Sequence, residues 1–589
     1  MLTENITVLD KINSPDDVKK LNIEEMNLLA EDIRAGILNR VNLVGGHLGP
    51  GLGFVEATIA MHYVFNSPVD KFVFDVSHQC YPHKMLTGRK EGFIDPLNHL
   101  DISGYTNPKE SAHDNFMVGH TSTAVSLATG IAKARDLKCE NYNVVAVVGD
   151  GSLSGGETFG GLNNASVLNS NFIIILNDNE MCIAENHGGL YNALAELRET
   201  QGQSENNIFK AFGFDYYYEE NGNDIESLIN LFSRVKDTTH PTIVHIHTLK
   251  GKGYEPAIID KERGHWDMPH FLDRENNDSS EQENYYTITN QYFFDKLKTD
   301  KTLMVVSAAT PGATGLFKPV RDKLGKNYTD VSIEEEHAIA YISGMAKNGA
   351  KPVLEIMSSF IQRTYDQLSQ DLALNNSPAT ILVCWGGISA ADATHLNIFD
   401  IPLISNIPNI VYLAPTNKEE YLKMLDWSVE QTSHPVAIRM PNDTFISTGI
   451  EDNTDYSILN KYQTVENGSE VAILGVGDFF HLAKDVKDEL KSKLRIDATL
   501  INPKFISGLD KELLDSLKSN HKIVITLESG IIEGGFGQKI ASYYGSSDVK
   551  VLNYGAKKEF TDRVPLDVIY RENHLTKEQI TDDVSKLLK

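Results

Sequence analysis

Cysteine is scarce in this chain. Four occur in 589 residues, Cys80, Cys139, Cys182 and Cys384. None stands in a C-x-x-C pair, so neither a disulfide framework nor a cysteine-ligated zinc site is expected. Positive charge is also short: 54 lysines and arginines face 81 aspartates and glutamates, a formal net charge of −27. General binding to nucleic acid or to an anionic membrane needs basic surface and is not expected, although a local basic pocket for a small anion remains open. Long apolar runs are missing as well. A run such as FIIIL, Phe172 to Leu176, is far too short to span a bilayer. The N-terminal MLTENITVLDK has neither the basic start nor the apolar core of a signal peptide. The expectation is a soluble cytoplasmic protein.

What the chain does have is enough apolar content, 41%, for folded cores, and too much length for one of them. Short β-branched runs alternate with helical segments throughout: VVAVV and FIIIL, then PVLEIM and ATILVCW, then VAILGVG and KIVITLE. That alternation predicts an α/β protein of doubly wound domains with mainly parallel sheets, helices covering both faces. Asp273 to Tyr286, polar, acidic and without periodicity, and Pro441 to Ser457, rich in turn formers, read as connections. Three domains follow, at 1–272, 285–445 and 456–589.

The chemistry starts where two aliphatic runs stop. Val144 to Val148 ends at Gly149-Asp150-Gly151, and Phe172 to Leu176 ends at Asn177-Asp178-Asn179. In a parallel α/β domain, ligands gather at the carboxyl ends of strands. Asp150 and Asn179 can therefore offer oxygens to one point, a donor set that suits a hard cation such as Mg²⁺ sharing phosphate oxygens. Gly151, Ser152, Gly155 and Gly156 lead into a helix whose free N–H groups can face a phosphate. A Gly-Asp-Gly triplet alone is an ordinary turn. A dinucleotide loop would need a third glycine at a spacing this stretch lacks. The pairing, with 28 residues between Asp150 and Asn179, resembles the thiamine diphosphate (ThDP) motif. The resemblance implies Mg²⁺ held by Asp150, Asn179 and the backbone carbonyl of Met181.

In the second block, DVSIEEEHAIAYISGMA reads as a short strand running into a helix. Ser332 and Glu335 have the spacing of a capping box, which is one reading of that glutamate. The other comes from likeness: the segment resembles the IAEQHAV pattern of the 1-deoxy-D-xylulose-5-phosphate synthase family, with Glu335 at its glutamate. GGHLGPGLG, DVSHQCYPHKMLTGR, VGHTSTAVSLATGIA, LNDNEM, KGKGYEPA and SSFIQRTYDQ extend that resemblance over nearly the whole chain. It implies a transketolase-like architecture of a diphosphate-binding domain, a pyrimidine-binding domain and a transketolase C-terminal domain, assembled as a homodimer. Glu335 would activate the cofactor. His47 and His265 would face the thiazolium and substrate, and His78, Gly119, His120, Thr121, Gly151, Ser152, Asn179 and Tyr254 would hold ThDP. Histidine is the natural proton carrier for such carbonyl chemistry. His83 and His113 receive no role.

The implied reaction joins pyruvate, with loss of CO₂, to D-glyceraldehyde 3-phosphate, and its product serves isoprenoid and thiamine biosynthesis. Arg363, Asp392, His395 and Arg439 are the candidate substrate-binding residues. On this acceptor side the chain departs from its family. The stretch DRAGIVGADGQTH reads CWGGISAADATH, so Trp385 replaces an arginine and one residue is missing between Asp392 and His395. RYPRG reads RMPND at Arg439 to Asp443, Met357 replaces a tyrosine, and the segment from Gly189 to Phe209 is much shorter. Arginine forks bind phosphate bidentately, so these losses matter. The alternatives are a transketolase-like or carboligase enzyme using another aldehyde or ketose, or a catalytically silent ThDP-binding protein. The presence of Glu335, His47 and His265 together argues against silence.

Overall fold

Alternate residues of a strand point to opposite faces of its sheet, so a strand buried on both faces must be apolar at every position. The Val144–Gly149 strand shows this directly. Val144, Ala146 and Val148 enter one apolar core with Ile174 and Leu176, while Val145 and Val147 enter another with Ile173 and Ile175. The computed structural model describes residues 7–273, 283–440 and 445–588. Most of the first expected linker and Pro441 to Asp443 of RMPND lie outside the described residues. The chain divides into two compact units, Met1–Ser279 with Ser332–Glu334, and Ser280–Val331 with Glu335–Lys589.

The first unit is built on a five-stranded sheet in the order Lys71–Phe74, Val144–Gly149, Phe172–Asp178, Pro241–His247, Asp215–Glu219. Every pairing in it is parallel. The long helix Ile23–Val44 begins at Asn22, whose side chain and that of Glu25 form a capping box, and ends at Gly45. A two-stranded antiparallel ribbon pairs His47 with Trp266.

The second unit carries two sheets. One is six-stranded and parallel throughout. The other has five strands, parallel except at the edge strand Gln463–Glu466. The two share one apolar core, with Leu354, Ile356 and Ile381 joining Leu474, Ile501 and Val524. The expected mainly parallel α/β architecture is what the structure has. Among the described residues, no helix is long and apolar enough to cross a membrane.

One residue breaks the apolar rule. Glu355 sits in the Lys351–Met357 strand on the face that carries Val353, beside Leu382 and Cys384 of the neighbouring strand. It is buried, its Oε2 has no hydrogen-bond partner, and burial pushes its carboxyl up to about 8 against one hydrogen bond from Thr314. The folded state therefore keeps a proton between pH 4.5 and 8 that the unfolded chain releases, so stability falls as pH rises through that window and the loss is complete above it. Glu355→Gln should stabilise the protein by roughly 2–3 kcal/mol at pH 7–8 and by much less near pH 5. Thermal melts of both proteins at pH 5 and 8 check this; an equal difference at the two values would contradict it.

Candidate active site

The first unit gathers its polar residues at the carboxyl ends of the parallel strands. After Phe74, residues Val76 and Ser77 adopt positive φ and turn the chain toward His78. Asp75 accepts hydrogen bonds from the backbone N–H of Ser122 and Ala124, at 2.8 and 2.9 Å, which fixes the loop carrying Gly119, His120 and Thr121. The ribbon pairing places His47 beside His265. Ring centroids lie 5.4 Å apart for His47–His265, 5.4 Å for His47–His78 and 5.6 Å for His78–His265. Three imidazoles separated by up to 218 residues of sequence thus form one triangle. Burial, and then the nearby Lys250 and the other imidazoles, hold His78 and His265 neutral, well below the ordinary histidine range. The Nδ1 atoms of both are buried without a hydrogen-bond partner. Neutral imidazoles with a free nitrogen can accept or relay a proton.

The Gly149-Asp150-Gly151 stretch enters a 3₁₀ turn, Asp150–Ser154, which leads into the helix Gly156–Ala165. Two of its glycines are sterically required. A Cβ on Gly151 would come within 2.8 Å of Cys182 Sγ, and one on Gly155 within 2.1 Å of Ser122 Oγ. Gly149 pairs with Asn177 across the two strands, so Asp150 and Asn179 follow on neighbouring strand ends, one position apart in register. Asp150 is buried and accepts a hydrogen bond from Asn186 Nδ2 at 2.8 Å. Burial, and then the charge of Asp178, push its carboxyl up to about 7. Asn179 Oδ1 is buried with no hydrogen-bond partner. A buried carboxylate of raised pKa and an orphaned amide oxygen on adjacent strand ends fit a small hard cation, which would satisfy both. Met181 lies in the same loop, bridged to Glu185. Among the described residues no group of three His, Cys, Asp or Glu side chains is placed to hold a metal ion; a site of one carboxylate, one amide and one carbonyl is of a different kind.

Several residues here carry no role in the sequence reading. Lys250 is buried, its Nζ donates to the Cys182 carbonyl at 2.7 Å, and burial lowers its ammonium to about 8. Its place just past the Pro241–His247 strand, inside KGKGYEPA, is a signal that strand-end logic could have used. Asn186, Arg198 and His245 gave none, since each meets the site only through folding. His83 is held between His62 at 3.0 Å and Asp114 at 2.9 Å, and His113 by Ser67 at 2.8 Å, away from the triangle's contacts. Tyr254 caps the short helix Glu255–Ile259, its ring against Phe271. Ser332 and Ile333 belong to this unit. Ser332 Oγ donates to the His187 carbonyl at 2.8 Å, and the Ile333 N–H donates to Ser154 Oγ at 3.2 Å.

In the second unit the helix Glu335–Lys347 starts at Glu335 itself, so the capping-box register, which would need Glu335 one turn in, is not the one formed. Glu335 is buried, and burial raises its carboxyl pKa despite Arg363 Nη1 at 3.3 Å. The candidate acceptor residues are dispersed in their commitments. Arg439 is buried and donates to Asp400 at 2.7 and 3.2 Å and to the Ser529 carbonyl at 2.7 Å, with Asp478 3.7 Å away. Its fork is thus engaged by a carboxylate instead of standing open to a phosphate. Asp392 lies 3.5 Å from His395; burial would raise its carboxyl, but His395 and Thr394 outweigh that and hold it down to about 2. Trp385 has φ +64°, donates from Nε1 to the Ala313 carbonyl at 2.8 Å, and the residue is 37% exposed.

Residues 9–206 and 200–248 match the family profile described as 1-deoxy-D-xylulose-5-phosphate synthase. Residues 284–445 match the transketolase pyrimidine binding domain, and 460–580 the transketolase C-terminal domain. Among curated relatives, 1-deoxy-D-xylulose-5-phosphate synthase of Halothermothrix orenii is 35% identical, covering 99% of this chain and 97% of its own. The proteins of the same name from Francisella tularensis subsp. novicida and Pelotomaculum thermopropionicum are 34% and 35% identical, over 99% and 97% of this chain and 99% and 96% of theirs. Transketolase from Leishmania mexicana, a solved structure, aligns over 96% of this chain and 97% of its own at 15% identity with a TM-score of 0.43, too distant to inform individual residues. With a third of its residues shared from end to end, the chain belongs to the 1-deoxy-D-xylulose-5-phosphate synthase family.

Proposed function

We propose that this protein is a ThDP- and Mg²⁺-dependent transferase that condenses pyruvate with D-glyceraldehyde 3-phosphate, releasing CO₂ and giving 1-deoxy-D-xylulose 5-phosphate. The observation that carries the reading is the pairing of Asp150, pushed up to about 7, with the unpartnered Asn179 Oδ1 at adjacent strand ends. Asp150, Asn179 and the Met181 carbonyl would hold the cation, and Gly119, His120, Thr121, Gly151 and Ser152 the diphosphate. When bound, ThDP supplies the electron sink for decarboxylation and carbon–carbon bond formation. The protein's own tasks are positional and protic. Glu335, whose carboxyl burial shifts toward its protonated form, is suited to hydrogen-bond a ring nitrogen. His78 and His265, held neutral, offer imidazole nitrogens that can accept or relay a proton, with His47 beside both.

Incubation with pyruvate, ThDP, Mg²⁺ and D-glyceraldehyde 3-phosphate, read by mass spectrometry, should show 1-deoxy-D-xylulose 5-phosphate. Absence of any condensation product with this aldehyde would overturn the assignment. We also infer a homodimer, and light scattering at micromolar concentration should return twice the 65.5 kDa chain mass.

A second reading of the acceptor is favoured by two placements: Arg439 is spent on Asp400, and the exposed Trp385 stands where the family has an arginine. On this reading the enzyme tolerates an uncharged aldehyde. Trp385→Arg should then raise the preference for D-glyceraldehyde 3-phosphate over D-glyceraldehyde, in kcat/KM, by about tenfold, the worth of one charge-assisted contact. An unchanged preference already strong in the wild type would show that other groups complete the phosphate clamp.

A further inference from the structure

Asn179 is flanked in sequence by two acids, Asp178 and Glu180, either of which could compete with it for a cation. Both are engaged elsewhere. Arg198, next to the end of the helix Gly189–Glu199, places Nη1 2.5 Å from Asp178 Oδ2 and Nη2 3.5 Å from Glu180 Oε2. One guanidinium therefore straddles Asn179. Asp178 is buried and also meets His245 Nε2 at 2.9 Å, while His245 Nδ1 meets the Tyr216 hydroxyl at 2.8 Å. Glu180 holds φ +66°, a left-handed conformation unusual for a residue with a side chain. It is fixed there by its own N–H to Asp178 Oδ1 at 3.0 Å and by His247 Nε2 at 3.0 Å.

We propose that Arg198 is a positioning residue for the cation. By holding Asp178 and Glu180 together it keeps both carboxylates occupied and fixes the strand end, leaving the Asn179 amide oxygen as the unoccupied donor of this loop. Preorganisation of this kind is what groups behind metal ligands supply in general, and its loss typically weakens metal binding about 10- to 100-fold. The proposal rests on the cation-site reading above and adds to it the residue that makes the site selective among three neighbouring oxygen donors. It also gives the short Gly189 to Phe209 segment a task, since that segment delivers the guanidinium.

Titration of Mn²⁺ into the protein with saturating ThDP, followed by loss of the free Mn²⁺ signal in electron paramagnetic resonance, tests this without relying on turnover. Arg198→Met should raise the Mn²⁺ dissociation constant by about tenfold or more, and Arg198→Lys should recover most of the loss. Glu180→Gln, at a half-exposed side chain, should give a smaller increase, and the double variant should lose less than the two single effects combined. At saturating Mg²⁺ the kcat of Arg198→Met should return toward that of the wild type, which a merely destabilised variant would not do. Unchanged Mn²⁺ binding in Arg198→Met and Glu180→Gln would overturn the proposal. A wild type showing no ThDP-dependent Mn²⁺ binding would instead sink the cation-site reading, and this proposal with it.

Discussion

Glu335→Gln is expected to bind ThDP and Mg²⁺ nearly as the wild type does, yet to exchange the C2 proton of the cofactor about 10²–10⁴-fold more slowly. The side chain lies buried at the first position of its helix, beside Arg363, with its carboxyl raised by burial. A carboxyl can both give and take a proton; the amide of glutamine can donate a hydrogen bond but cannot follow with a proton. Proton–deuteron exchange at C2, read by NMR, isolates this step from substrate binding. If the residue served only to start its helix, the change would cost about 0.5–2 kcal/mol of stability and leave exchange fast.

The second large effect belongs to the cation. Asp150→Ala and Asn179→Ala should each abolish the Mg²⁺ dependence of ThDP binding and weaken it by at least about a hundredfold, since each removes one of very few oxygens on a hard ion. The fold should persist, because Gly151 and Gly155, not these side chains, permit the close packing of the loop. Calorimetric titration of ThDP with and without Mg²⁺ separates the outcomes. Equal affinity in wild type and both variants would remove these residues from the cation site.

The parts of the site that could be read in advance are those whose meaning is local. GDG and NDN each end an aliphatic run, and strand ends of parallel sheets are where ligands go, so Asp150 and Asn179 could be named from position alone. The histidine triangle could not. His47, His78 and His265 come from three separate segments, and only family likeness linked them before the ribbon pairing of His47 with Trp266 brought two of them together. The capping spacing of Ser332 and Glu335 misled for a related reason: the Ser332 hydroxyl has a partner 145 residues away, at His187.

The chain's sequence by itself determined the parallel α/β architecture, because burial on both faces forces uninterrupted aliphatic runs, and it determined the family, because motifs at strand ends survive divergence. Only the tertiary structure decided how charges are spent. Whether Arg439 faces a phosphate or Asp400, whether Arg198 is a surface residue or a clamp on two acids, and whether Glu355 finds a cation all depend on which groups meet after folding. Electrostatic energy depends on distance and on the surrounding dielectric, and neither quantity is written in the order of the residues.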